Sequence, residues 1–428
     1  MFRCALSITL GLLGCGSTPS DEFAPAVLAR AHQADRCARP SLLRLRYTRM
    51  ARASYAYMRA ARSVLVARRQ LAAETQPLPD LGRGLGPGDP HLENFGVMHS
   101  AGGPVVTFND WDAAGAHNFA WSLERLALSV GLTTERYGYA DEDLRRVIRQ
   151  TLSGYRAGRC GQEEAPASEA VDQLLRLASE SDGGLSKYTE LGRLRWGVTS
   201  SGRQAVVPLP SALADHVIDQ VSRHLEHSLV DIGVLLGRGI SGLTRLRLLA
   251  LTRDGLTLRL VEFKELIPPG DVQVKQDVLL TGDIMTQSLA VARRLWPEGV
   301  GLGWRIVEVL GQPMWLREML PGEKGFEHDE LGLHTGSPEG LAELGETLAW
   351  RLGRAHHEST SVCPPAFLSA HVEGLVNALT QQHRDHGAFK AAFTRHGLGL
   401  GAPTCESSPS AERRRLLGLD VFESEMMR

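Results

Sequence analysis

The sequence predicts an α+β protein of two lobes, a small antiparallel β lobe set inside a larger, mostly helical one. Three observations predict it. A glycine-rich break from Gly82 to Gly88 leads into an Asp-x-x-x-x-Asn loop and then into a strand that ends in acids. Well downstream, a second glycine loop lies between stretches that alternate like strands, the last of them ending in a lysine. On either side of these features, apolar residues recur at helical spacing.

At the N-terminus Arg3 precedes an apolar run from Cys4 to Gly14, which gives way at Cys15 to the small, polar Gly16-Ser17-Thr18-Pro19-Ser20. The run is too short to cross a hydrocarbon core, which needs about 20 residues. It reads as a secretion signal of the bacterial lipoprotein kind, with cleavage after residue 14 and Cys15 as the lipidated residue. The expected location is the cell envelope, anchored to the membrane through lipid, or the cytoplasm if the signal does not function. Residues 15–40 are expected to be a lipoprotein tether with a first helix. Residues 41–230 form the first part of the helical lobe, 231–325 the β lobe and 326–428 the second part of the helical lobe.

Composition narrows the classes. A chain of 428 residues with 43% hydrophobic and 22% charged side chains can bury a sizeable core and is neither disordered nor a coiled coil. Basic and acidic residues nearly cancel, 47 against 49, so there is no electrostatic footprint for nucleic acid. Outside the signal, Cys37, Cys160, Cys363 and Cys405 allow two bridges in three pairings, or four free thiols. No CxxC spacing points to structural zinc.

From Leu42 to about Glu74 the chain is helix-forming and rich in arginine, with Tyr47, Met50, Tyr55, Met58 and Leu65 as an apolar stripe. Val105 to Asp112 reads as a strand, Trp121 to Leu132 as a helix, and 141–156, 168–180 and 213–230 as further helices. Strands and hairpins follow from about residue 231. Helix returns after Ser337-Pro338-Glu339, a helix start, with Leu341, Leu344, Leu348, Leu352 and Ala355 as the stripe up to His356-His357.

The chemistry begins in Gly88-Asp89-Pro90-His91-Leu92-Glu93-Asn94. An Asp and an Asn five apart in a loop, followed by a strand placing Val106, Phe108, Asp110 and Asp112 on one face, supply what phosphoryl transfer requires. One carboxylate orients or deprotonates the acceptor, while an amide and a second carboxylate hold magnesium on the phosphates. The spacing is that of a protein-kinase catalytic loop. Asp89 is the expected base, with His91 shaping the loop, Asn94 and Asp110 as metal ligands and Asp112 on a second magnesium.

Gly237-Arg238-Gly239-Ile240-Ser241-Gly242 spells G-x-G-x-x-G. A dinucleotide-binding fold needs a helix next, yet Leu243 to Thr252 alternates like a strand. Asp254-Gly255 is a hairpin turn, after which Leu256, Leu258, Leu260, Glu262 and Lys264 share one face of another strand. Only five of the 47 basic residues are lysine, so Lys264 is a marked choice. Its compact ammonium can reach phosphates from a strand end. The glycine loop with Lys264 is the phosphate-covering part of a kinase. Asp277 and Asp283 are candidate carboxylate partners for the lysine. Here the glycine loop follows the catalytic loop, the reverse of the kinase order, which a circular permutation reconciles.

The sequence resembles the bacterial domain of unknown function 2252 family, whose members look like permuted relatives of aminoglycoside phosphotransferases. The resemblance rests on Met50 with Ala56-Tyr57-Met58-Arg59, Gly88 to Gly96, Asn109-Asp110-Trp111-Asp112, Leu123-Glu124-Arg125-Leu126-Ala127, Phe263-Lys264-Glu265, Trp315-Leu316-Arg317 and Arg354-Ala355-His356. It implies a two-lobed, circularly permuted protein-kinase-like fold and leaves the substrate unnamed. Ala60 stands where the family has Gly, and Ser122 where it has an Asp that braces the catalytic loop.

The function expected from these readings is a phosphotransferase dependent on Mg2+ and a nucleotide such as ATP, acting on a small-molecule or protein acceptor. One alternative is a metal-dependent phosphoesterase using Asp89, His91, Asn94 and Asp110. Another is a non-catalytic envelope lipoprotein that keeps the cleft for binding.

Overall fold

The computed structural model describes residues 20–71, 76–198, 204–240, 242–266, 284–296, 299, 304–327 and 335–397. The signal segment, Cys15, Ser241, Asp277, Asp283 and Cys405 lie outside the described residues, as does the side chain of Cys37.

The described chain opens on helices α1 (Ser20–Ala31), α2 (Gln33–Ala38), α3 (Pro40–Arg52), α4 (Ser54–Ala60) and α5 (Arg62–Leu71). Strand β1 (Arg83–Gly86), a 3-10 turn (Leu92–Asn94), the hairpin β2 (Phe95–Ser100) and β3 (Gly103–Phe108), and β4 (Gly115–Asn118) follow. Helices α6 (Phe119–Arg136), α7 (Asp141–Arg159), α8 (Glu169–Ser179) and α9 (Leu185–Tyr188) come next, then the hairpin β5 (Thr189–Glu190) and β6 (Arg193–Leu194). The sheet region comprises β7 (Gly197–Val198), β8 (Ala205–Pro208), α10 (Ser211–Ser222), β9 (Ser228–Leu236), β10 (Arg247–Asp254), β11 (Thr257–Glu265), α11 (Ile284–Leu295), β12 (Arg305–Val309) and β13 (Gln312–Met319). Strand β14 (Lys324–Gly325) and helices α12 (Pro338–Ser359) and α13 (Ser369–His396) complete it.

The fold is α+β with antiparallel sheets. Seven strands form one sheet in the order β12-β13-β11-β10-β9-β8-β7. Alternation buries both of its faces. Ile232, Val234, Leu248, Ala250, Phe263 and Leu316 pack on one side with Val217 and Val221 of α10. Leu235, Leu249, Leu251 and Leu260 pack on the other with Tyr188 and Leu194. The smaller sheet β14-β2-β3 joins the core of α6, α7 and α12 through Phe95, Val97 and Phe108. A third cluster unites α1, α3, α4, α5 and α13 around Tyr47, Met50, Tyr57 and Phe389.

Local chemistry explains the helix starts. The Asn118 side chain accepts from the backbone N–H groups of Ala120 and Trp121, capping α6. The Ser337 hydroxyl accepts from Gly340 N at 3.1 Å, and Pro338 supplies the preset φ of the first helical position in α12. The expected stripe of α12 is buried throughout. It lies against α7 so closely that a Cβ on Gly158 would fall 2.1 Å from Trp350 O, which explains glycine there. A disulfide joins Cys160 to Cys363 at the end of this helix pair, with Cα atoms 4.4 Å apart. That bond belongs to one of the three pairings left open by the sequence, whose other two cysteines, Cys37 and Cys405, are not described at their side chains.

Several elements differ from expectation. The first helix expected within residues 15–40 begins already at Ser20, and Phe23, Ala24 and Leu28 join the core cluster of Tyr47 and Phe389, so this part of the expected tether is packed. The strand expected to reach Asp112 stops at Phe108, because the Asp110 side chain accepts from Asp112 N and turns the chain. Asp110 and Asp112 therefore sit in a turn and not on a strand face. The helix expected over 213–230 ends at Ser222, and β9 begins at Ser228. Strands β7 and β8 and helix α10, within the span expected to be helical lobe, build onto the large sheet. Leu243 to Leu246 precede strand β10, and Leu256 is exposed at the hairpin tip.

Candidate active site

Two stretches distant in sequence converge on one cleft of about 1370 Å³ between the large sheet and the helices. The β2–β3 hairpin sets one side. Phe95 pairs with Phe108 in register, and Asn109 N donates to Asn94 O at 3.0 Å, so Asn94 and Asp110 emerge side by side from neighbouring chain ends. The Asn109 amide nitrogen bonds Phe95 O at 3.1 Å and fastens the turn. Asn94 Nδ2 donates to Asp89 O at 2.8 Å, which directs its amide oxygen away from that loop.

Strand β11 supplies the other side. Lys264 Nζ donates to Asp110 at 3.0 Å and 3.1 Å from the two carboxylate oxygens, and it also pairs with Asp112. Arg245 pairs with Asp112 as well. Burial by itself would raise the Asp110 carboxyl, but the charges of Lys264 and Arg245 outweigh it and hold the group well below the usual carboxylate range.

The glycine loop joins β9 to β10 as a roof. Gly237 and Gly239 adopt φ of 81° and 75°, which favour glycine. Their carbonyls accept from Arg49 of α3 at 3.0 Å and 3.2 Å. Under the loop, Glu262 is buried and receives Arg247 at 2.5 Å, Arg317 at 3.2 Å and Arg238 at 3.4 Å. Burial would raise its carboxyl, yet these guanidinium groups bring it well below its ordinary value. Trp304, Trp315, Met319 and Leu320 give part of the cleft an apolar lining.

Asp89 and His91 lie outside the cleft lining. Arg125 Nε donates to Asp89 at 2.6 Å, and the same guanidinium holds Met58 O and, at 2.9 Å, Arg59 O. Burial raises the Asp89 carboxyl, but Arg125, His91 and Arg62 outweigh it and lower it to about 2. His91 is buried, with Nε2 3.8 Å from Asp89, and burial lowers its imidazole to about 3, keeping it neutral. Gly88 has φ of 94°, and a Cβ there would fall 1.9 Å from Ala113 O, so the tight approach of this loop to the Asp112 turn requires glycine. Ser122 donates to Asn118 O at 3.4 Å within its own helix. The contacts from α6 to the loop come from Arg125 and from Ser129, whose hydroxyl accepts from Leu92 N at 3.1 Å.

Thus Asn94, Asp110, Asp112, Gly237, Gly239 and Lys264 line one cleft. Asp89, His91 and Gly242 do not, and Ser241 is not described. Sequence reasoning missed Arg245, Arg49 and the three arginines on Glu262. In a chain with 42 arginines among 47 basic residues nothing singles these out. The acids that face Lys264 are Asp110 and Asp112, while the candidates Asp277 and Asp283 lie outside the described residues. Among the described residues no group of three or more His, Cys, Asp or Glu side chains could hold a metal. A set of one amide oxygen and two carboxylates is made of hard oxygen donors that fit magnesium when phosphate oxygens and water complete it. Among the described residues no helix is long and apolar enough to cross a membrane.

Residues 36–190 match the model of a family described as an uncharacterized protein conserved in bacteria, domain of unknown function 2252. The match includes Asp89, Asn94, Asp110 and Asp112 and stops before the glycine loop. No curated protein and no solved structure matches the chain.

Proposed function

We propose that the cleft binds a magnesium–nucleotide complex and transfers a phosphoryl group, on a two-lobed protein-kinase-like fold whose chain order is circularly permuted. The observation that carries this reading is the contact of Lys264 with Asp110 at 3.0 Å, made across 154 positions of sequence beneath a glycine loop. The element order supports it: strand, glycine loop, strand, hairpin, strand ending in lysine, helix and two more strands. The permutation is supported at its joint, where Leu85 N of β1 donates to Ser359 Oγ at the end of α12 at 2.8 Å. That helix therefore delivers the chain to where the catalytic loop begins.

In this reading Asn94, Asp110 and Asp112 would hold magnesium, whose charge would stabilise the phosphates when bound. Lys264 moves from the acids to the phosphates, and the backbone around Gly237 and Gly239 covers them. Trp304 and Trp315 line the apolar part of the cleft that would receive a base. Asp89 orients the acceptor hydroxyl, a role that needs a fixed carboxylate more than a strong base when the transition state is loose. The acceptor is a small molecule or a protein.

A second reading, binding without transfer, is favoured by one observation: Asp89 faces Arg125 and does not line the cleft. Both readings place the protein in the cell envelope through Cys15, and the Cys160–Cys363 bond supports an oxidising compartment. Thermal-shift titration with magnesium alone and with magnesium plus ATP tests them. A response to both together that Asp110→Ala removes, with ADP release, supports transfer. The response without ADP release supports binding alone, and no response overturns both.

A further inference from the structure

We propose that the junction of α2 and α3 is the positioning element of this nucleotide site, with Asp35 of α2 and Arg39, which caps it, as positioning residues acting through Thr244 and Glu265. The proposal rests on the nucleotide reading of the cleft. Arg39 and Glu265 are both 0% exposed and pair at 2.9 Å, although 226 positions separate them. The Arg39 guanidinium also donates to Thr244 O, and the Thr244 hydroxyl donates to Asp35 at 2.8 Å. Arg46 of α3 stands 3.8 Å from the same Asp35. Glu265 in turn accepts from Leu246 N at 2.7 Å, through the same oxygen that Arg39 holds.

These contacts fall on the segment that follows the glycine loop and on the end of β11 that pairs with it, and these carry the site's cations. Glu265 is next to Lys264. Thr244 and Leu246 bracket Arg245, which holds Asp112. A shift of this junction therefore moves Lys264 and Arg245 together relative to Asp110 and Asp112. A fully buried ion pair is an inefficient way to attach a helix, because desolvation offsets most of its attraction and an apolar pair would stabilise as well. What the ionic pair adds is direction. It fixes the carboxylate that registers the start of β10 against the end of β11. The N-terminal helices are in this way coupled to the phosphate side of the cleft.

The test uses the full chain with Arg39→Met, Arg39→Lys and Thr244→Val. Calorimetry measures magnesium·ATP and magnesium alone, and hydrogen exchange reads residues 243–247 and 262–266. Arg39→Met is expected to weaken magnesium·ATP binding about ten-fold and Thr244→Val about five-fold, the scale of one charged and one neutral buried hydrogen bond. Magnesium alone should bind as in wild type, exchange at both segments should rise, and Arg39→Lys should recover part of the affinity. A general loss of packing would not spare the metal step. Should Arg39→Met fail to fold, Thr244→Val carries the comparison. Folded variants with wild-type affinity and wild-type exchange overturn the inference. If wild type itself binds no magnesium·ATP, the functional reading fails, and the exchange data alone then decide the clamp: unchanged exchange overturns it and raised exchange upholds it.

Discussion

The floor of the cleft and the Asp89 site are built from the same kinds of residue and differ in how their charges are satisfied. At the floor, Asp110 is 32% exposed, and Asp112 is shared between Lys264 and Arg245. Lys264 contacts both acids, so an ion of higher charge that takes one of them leaves it the other. Asp89 is held by one guanidinium whose remaining donors are committed to Met58 O and Arg59 O. The first arrangement can exchange partners, and the second is a brace. Sharing of partners is what distinguishes the floor from the Asp89 site.

The sharpest way to break this comparison is to remove one cation from each site. Arg125→Met leaves a buried carboxylate unpaired and two carbonyls without their donor, and should destabilise the protein by about 3–5 kcal/mol in chemical denaturation. A loss below about 1 kcal/mol would mean that Asp89 is as exchangeable as Asp110. Acid should separate the sites next. A carboxyl lowered from 3.8 to about 2 contributes stability that is complete above pH 4 and lost as pH falls toward 2, on the order of 2 kcal/mol. Subtracting the pH profile of Asp89→Asn from that of wild type should isolate this term, and identical slopes between pH 4 and 2 would remove it. Asp110→Asn should change stability by less than about 1 kcal/mol, because Lys264 keeps Asp112, while the magnesium·ATP response disappears.

Much of this was legible in sequence wherever a local rule governs. The α12 stripe, the Asp254-Gly255 hairpin and the strand carrying Lys264 follow from periodicity and turn chemistry, and the structure has them. So was the meeting of two motifs: Asn94, Asp110, Asp112 and Lys264, named from separate stretches, line one cleft. What sequence could not show is decided by long-range contact. The strand end at Phe108 depends on the Asp110 side chain capturing Asp112 N, which alternation cannot foresee. The folding of residues 20–38 depends on Phe23 and Leu28 meeting Phe389 from the far end of the described chain. The orientation of Asp89 is set by Arg125, one arginine among many, on a helix face that sequence marks only as amphipathic.

A surface contact supplies the limit of the comparison, where solvent weakens what burial strengthens. His383 of α13 and Glu135 of α6 meet at 2.6 Å, with side chains 42% and 36% exposed, and Ser54 Oγ lies 3.1 Å from the other ring nitrogen. The hydrogen bond that the ring donates to Glu135 raises the imidazole above its ordinary 6.5, against a smaller opposing effect of burial. A raised cation contributes stability fully present below pH 6.5 and lost as pH climbs through the folded-state value. Water screens both partners, so removing the contact by Glu135→Gln should cost only a few tenths of a kcal/mol. The direction is easier to see than the energy. An NMR titration of His383 should have its midpoint above 6.5 in wild type and fall back in Glu135→Gln. A wild-type midpoint at or below 6.5 would show that the pair does not persist in solution. The contrast between exchangeable and braced charges would then hold only for sites sheltered from water.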